Sequence, residues 1–143
     1  MVQRRGHASN IDDAEITGSA RMVQTGMPDF PAFVRNPLNR IARSSQFTDD
    51  IEGFVWDGAD GSQVCLWTCK ADRTSKEHAH DFDEYVLVIE GKVVVVLEGR
   101  RIELGAGQEL HIPSGTRQSM AVVAGTRTMH VFGGQRACRQ DKG

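Results

Sequence analysis

The chain changes character near residue 54. Before it, apolar residues recur at neither a helical nor a strand period, and Asn, Asp, Ser, Gly and Arg are frequent. From Phe54 onward, short runs rich in β-branched residues alternate with glycine-containing turns: FVWDGADGSQVCLWTCKA, EYVLVIEGKVVVVLEGRRIEL, GAGQELHIPSG and TRQSMAVVAGTRTMHVFGG. The turn segments DGADG, EGK, EGR and AGT recur roughly every 8 to 12 residues, the spacing at which short antiparallel strands are joined by hairpins. The pattern predicts an all-β architecture, a barrel or a sandwich. A helix has room only in the N-terminal portion, where no clean 3.6-residue stripe supports one.

Within this pattern, KEHAHDFDEYVLVIEGKV (residues 76–93) places polar groups where a strand begins. Side chains alternate across an extended chain, so His78, His80, Phe82, Glu84, Val86 and Val88 share one face if the segment stays extended. Two readings of the spacing stand side by side. In one, two imidazoles and a carboxylate converge as ligands for a divalent metal and leave positions open for water or substrate. In the other, HAHDFDE is an exposed polar loop ahead of a buried strand.

Composition narrows the classes without choosing between these readings. The 143 residues suit one domain with a real core, and 39% hydrophobic with 25% charged residues is ordinary for a soluble globular protein. No apolar run approaches the roughly 20 residues of a membrane span. A net charge of -2 and a pI near 6.2 give no electrostatic footprint for nucleic acid or an anionic membrane. The start, MVQRRGHASNIDDAEITG, is basic but continues with Asn10, Asp12, Asp13 and Glu15 where a signal peptide needs an apolar core, so a cytoplasmic location is expected. Cys65, Cys69 and Cys138 are too irregularly spaced for a disulfide framework or a metal knuckle and are read as reduced thiols.

The residues then carry a family resemblance. His78-x-His80-x3-Glu84-x6-Gly91 resembles the first motif of the cupin superfamily, whose histidines and glutamate are metal ligands and whose glycine closes a hairpin. GQELHIPSGTRQ resembles the second motif, with Gly107 and then Pro113-x-Gly115, but Gln118 stands where the family's last histidine ligand is normally found. The resemblance covers about residues 55 to 134. It implies an antiparallel jelly-roll β-barrel with an irregular N-terminal extension, holding one divalent metal ion (Fe, Mn, Zn, Ni or Co) by His78, His80 and Glu84, with Gln118 as a weak fourth ligand or a group hydrogen-bonded near the metal.

In small cupins that open or isomerise sugar rings, the last barrel strand resembles TMHVFGGQR. By that likeness His130 is the candidate for proton transfer, and Phe132 and Arg136 are the candidate substrate contacts, facing the ligands from the opposite strand. The function implied is a small-molecule metalloenzyme of isomerase, lyase or dioxygenase type acting on a small polar substrate such as a sugar acid or keto acid. The alternative is a non-catalytic cupin that binds or senses a small ligand.

Other residues have plainer roles. His111 shares a face with Glu109 and is expected at the surface, Tyr85 faces away from Glu84, and Asp81 and Asp83 belong to a solvated rim. Cys65, Trp67 and Cys69 share a strand face and are expected in a core or pocket wall. Lys70, Arg73 and Lys76 fit a solvated loop, or a charge that draws an anionic substrate to the mouth. His7 lies in the unpatterned start and is given no role. Domain boundaries are expected at 1–28 for a flexible or partner-docked extension, 29–136 for the barrel and 137–143 for a tail. A homodimer is expected, with residues 29–50 supplying a strand to the partner and so covering an edge.

Overall fold

In the computed structural model, residues 27, 29–46 and 50–140 are described. The expected extension over 1–28 therefore lies outside the described residues except at Met27. The chain divides into two units, Met1–Phe30 and Pro31–Gly143, and the barrel belongs to the second.

Among the described residues there are nine strands: β1 (Ile51–Asp57), β2 (Gln63–Cys69), β3 (Arg73–Thr74), β4 (Glu84–Glu90), β5 (Lys92–Leu97), β6 (Arg100–Gly105), β7 (Glu109–Ile112), β8 (Gln118–Val122) and β9 (Arg127–Phe132). They form two antiparallel sheets ordered β1-β2-β9-β4-β7 and β3-β8-β5-β6. The period-2 pattern is what folds them this way. In β2 the residues Gln63, Cys65, Trp67 and Cys69 are buried while those between them are half-buried, and β4 repeats this with Glu84, Val86 and Val88. Alternating burial leaves each sheet one apolar face, and the two faces close on each other.

The core has two parts. Val86, Val88, Val93, Val95, Leu97, Leu104 and Ile112 form one, and Ile41, Val55, Cys65, Trp67, Phe132 and Ala137 form the other. The EGK turn works as the sequence predicts: Gly91 has φ +91°, and a Cβ there would lie 2.3 Å from Thr126 Oγ1. Only glycine meets both conditions cheaply.

The segment read as a candidate exchanged strand pairs within its own chain. Two short 3-10 turns, Pro37–Asn39 and Arg43–Ser45, flank Arg40 and Ile41, which bridge to Phe54 and Arg139. Ile41 N donates to Gly53 O at 2.9 Å, so the free edge of β1 is partly covered from inside the chain. The chain end, set apart in the sequence as a tail, is tied in through Gln140, whose N–H reaches Arg40 O at 2.8 Å, while Ala42 N–H reaches Cys138 O at 2.8 Å. Residues 39–46 and 136–140 thus form a paired strap along one end of the barrel.

Candidate functional site

Glu84 opens β4 with its side chain turned inward and is 3% exposed. Both carboxylate oxygens are held: Gln118 Nε2 donates to Oε1 at 2.9 Å, and His130 Nδ1 lies 2.8 Å from Oε2. With the carboxylate charged, Nδ1–H is the donor. His130 Nε2 then accepts from the Thr128 hydroxyl at 3.1 Å. Burial pushes the Glu84 carboxyl up, but the hydrogen bond and charge of His130, the Gln118 amide and His80 together outweigh it and hold the pKa below the ordinary carboxylate value. His80 Nε2 stands 3.7 Å from Glu84 Oε1. Burial lowers the His80 pKa, with Glu84 pulling the other way.

The histidine segment is not one continuous strand. His78 pairs with Gln118 through 2.8 Å backbone hydrogen bonds in both directions, which belongs to the second sheet, and the chain then bends through Asp81 to Asp83 to enter β4 in the first. Alternation survives the bend, so His78, His80 and Glu84 all line one cavity together with Gln118. His78 Nδ1 lies 2.8 Å from Lys76 O, which fixes the proton there and leaves the lone pair on Nε2. The His78 and His80 rings meet edge to face at 4.9 Å. Gln118 is buried, and its Oε1 has no hydrogen-bond partner. Among the described residues, no three His, Cys, Asp or Glu side chains stand close enough together to hold a metal ion.

Three residues wall the site. Trp67 is placed by Gly53, its cross-strand neighbour, where a Cβ would meet the indole at 2.4 Å. Its Nε1 donates to Gln46 Oε1 at 3.1 Å, and its ring meets His130 edge to face at 5.0 Å. Phe132 stacks on His130 at 5.8 Å and is 1% exposed. Arg136 lies over the Trp67 ring at 5.5 Å, and its Nη1 donates to Ser45 O at 2.7 Å. The buried Gln63 sets its backbone, accepting from the Arg136 and Ala137 N–H groups at 2.7 and 2.8 Å. The cavity enclosed is about 100 Å³, and it adjoins an outer hollow of about 410 Å³ with which it shares Gln46, His78, His80 and Arg136.

All seven residues singled out in the sequence line this cavity. One part of the expected arrangement is corrected: β9 is not opposite the strand that carries Glu84 but hydrogen-bonded to it, with Phe132 across from Glu84 and His130 across from Val86. The jelly roll threads its last strand between β2 and β4, and this is what allows His130 to reach the carboxylate directly. Sequence reasoning passed over Thr128, which shares the parity of His130, and Gln63, which shares that of Cys65; alternation would have found both. Gln46 and Ser45 come from a segment without periodicity, and no sequence signal marks them. The plainer expectations hold: His111 is exposed with Nε2 3.0 Å from Asp83 Oδ2, and the Tyr85 hydroxyl donates outward to Glu109 at 2.8 Å. Arg73 is ion-paired with Asp50.

Burial pushes the Cys65 thiol up to about 12 and that of Cys69 to about 11, while Cys138 is exposed. Since the thiolate is the nucleophile, native protein at mildly alkaline pH should show one thiol reacting promptly with iodoacetamide, Cys138, and the other two only after denaturation. Prompt labelling of Cys65 by peptide mapping would contradict the closed wall described above.

Comparison with known proteins agrees with this geometry. Residues 65–134 match the family model of the cupin domain. No curated protein matches the chain. Among solved structures, an RmlC-like cupin from Shewanella frigidimarina is similar with a TM-score of 0.58 at 16% identity, over 74% of this chain and 93% of that one. KdgF from Halomonas sp. follows with a TM-score of 0.55 at 16% identity, over 71% and 94% of the two chains. A variant of oxalate decarboxylase from Bacillus subtilis gives a TM-score of 0.53 at 17% identity, over 61% of this chain and 26% of that one. With two antiparallel sheets closed into a barrel, the motif side chains His78, His80, Glu84 and Gln118 lining its interior and the family match at residues 65–134, that part of the chain is a cupin domain.

Proposed function

We propose that the barrel interior is a small-molecule site in which His78, His80, Glu84 and Gln118 hold one divalent first-row metal ion and His130 moves a proton. The chain would then be an isomerase, lyase or dioxygenase acting on a small polar acid. The observation that carries this reading is the buried Gln118 Oε1, which lacks a hydrogen-bond partner beside the Glu84 carboxylate. A carbonyl oxygen left so is costly unless something electrophilic meets it. The donors fit such an ion in kind, two imidazoles, a carboxylate and an amide oxygen. They would draw together to hold it, since as they stand no three of the His and Glu side chains among the described residues are close enough to do so. The similarly folded oxalate decarboxylase of Bacillus subtilis has Mn(II) centres, which supports the reading.

When bound, the ion supplies Lewis acidity toward a substrate carbonyl or hydroxyl oxygen. The chain's own residues do the rest. Glu84 fixes the His130 tautomer by taking Nδ1–H, so Nε2 is the basic nitrogen, occupied by the Thr128 hydroxyl until a substrate group takes that place. Arg136 offers a fixed positive charge to a substrate carboxylate, and Phe132 and Trp67 keep water from that side of the imidazole.

A second reading has its own observation. Both Glu84 oxygens and both His130 nitrogens already have protein partners, as in a site built only to bind a ligand. Elemental analysis of the purified chain and of His80→Ala separates the two. About one ion per chain, lost in the variant, is expected, because the remaining donors seldom retain a first-row ion against a chelator. Negligible metal in both proteins would leave ligand binding as the function.

A further inference from the structure

Inward-facing side chains change from polar to apolar along the strands that enclose the cavity. On β8 the lining series is Gln118, Met120, Val122, and on β4 Glu84 is followed inward by Val86 and Val88. Register locates the apolar end. Ile51 pairs with Cys69, and Val93 with Val122, while the Glu84–Phe132 and Gln118–His78 pairings mark the polar end. Arg73, Thr74 and Ser75 also line this end, and Arg73 is ion-paired there with Asp50. The outer hollow has the opposite character, edged by Ser44, Ser45, Gln46, His78, His80 and Arg136.

Resting on the proposed small-acid site, we infer that its ligand is a monocarboxylic acid with a short alkyl tail and not a polyhydroxylated sugar acid. The carboxylate lies at Arg136, the reacting carbon beside Glu84 and His80, and the tail among Ile51, Cys69, Val93, Met120 and Val122. A sugar acid would bring several hydroxyl groups into that end, where Ile51, Cys69, Val93, Met120 and Val122 offer no hydrogen-bonding oxygen or nitrogen. The polar lining there is limited to Arg73, paired with Asp50, to Thr74, and to Ser75, whose hydroxyl accepts from Met120 N–H at 2.9 Å. Each unpaired hydroxyl there costs about 1–3 kcal/mol, close to tenfold or more in affinity. Size bounds the length: a dry cavity of about 150 Å³ holds the six carbons of benzene, so a chamber of about 100 Å³, whose lining also includes Glu84 and His80 beside the reacting carbon, takes roughly four non-hydrogen atoms in all and leaves room for a tail of about two carbons. Polar head outward and apolar tail inward is the one orientation that matches both hollows.

Isothermal titration of the purified full chain with straight-chain 2-oxo acids, from pyruvate to 2-oxooctanoate, and with gluconate and galacturonate tests this. Affinity should rise about fourfold for each added methylene until the tail reaches roughly two carbons, and fall beyond. The sugar acids should bind more weakly than the best alkyl acid by about tenfold or more. Met120→Phe, which fills the apolar end, should shift the optimum to shorter tails and weaken the longest acids most. If that variant does not fold, the wild-type series still decides. Affinity independent of tail length, or tighter binding of gluconate or galacturonate, would overturn the alkyl tail while leaving a small-acid site in place. Binding of neither class would overturn both.

Discussion

Replacing His130 with alanine should lower kcat by about 10² to 10⁴ while bound metal stays at the wild-type level, once a turning-over substrate has been found by screening. His130 contributes nothing to the proposed donor set, so its loss leaves His78, His80, Glu84 and Gln118 in place. What disappears is the Nδ1 hydrogen bond to Glu84 at 2.8 Å and the basic Nε2 beside Thr128. Thr128→Val is the companion variant, since it removes the hydroxyl from Nε2 and leaves the imidazole, and its kcat should fall by no more than about tenfold. A proton-transfer role predicts a large effect at His130 and a small one at Thr128. A kcat unchanged in His130→Ala would assign the imidazole to ligand contact and favour the binding cupin.

The second large effect is on stability. Phe132→Ala should destabilise the chain by about 3–5 kcal/mol, read as a lower urea midpoint at unchanged slope. Phe132 is 1% exposed and meets four rings: Trp67 at 6.1 Å, His80 at 5.7 Å, Phe82 at 6.0 Å and His130 at 5.8 Å. These neighbours come from three separate stretches of chain, so no single rotamer change refills the space. Phe132→Leu should cost well under half as much, because most of the volume remains. A loss below about 1 kcal/mol for the alanine variant would mean that the interior collapses around the gap. Since total stabilities of such domains run to about 5–15 kcal/mol, the variant should still fold, and weaker ligand binding can be measured beside its stability.

Local chemistry made much of this legible in advance. Alternation of side chains is a property of any extended chain, so β2, β4, β5 and β9 show their buried faces in the sequence, and the parity of His78, His80 and Glu84 survives even the bend between sheets. Glycine turns are equally local: Gly91 needs positive φ whatever surrounds it. Gln118 stands at the same level, since its departure from the family motif is visible from the residue alone.

What the sequence did not determine is which strands lie side by side. Periodicity says which face of β9 is buried but carries no information about its neighbours. The expectation of a strand opposite the ligands therefore gave way to one bonded directly to β4, and with it came the Glu84–His130 contact. The strap is the clearer case. Residues 39–46 have no hydrophobic period, and Arg136 lies just past the last strand, yet Arg136 reaches the cavity because Gln63 clamps its backbone and Ser45 takes its guanidinium. Those contacts join residues 73 and 91 positions apart. The sequence by itself thus determined the strands, their inward residues and the identity of the polar cluster, because each depends on a few neighbouring residues. Tertiary structure alone decided that the carboxylate is shared with an imidazole and that the cavity is polar at one end and apolar at the other, because both follow from strand order and register, which close only when distant segments pair.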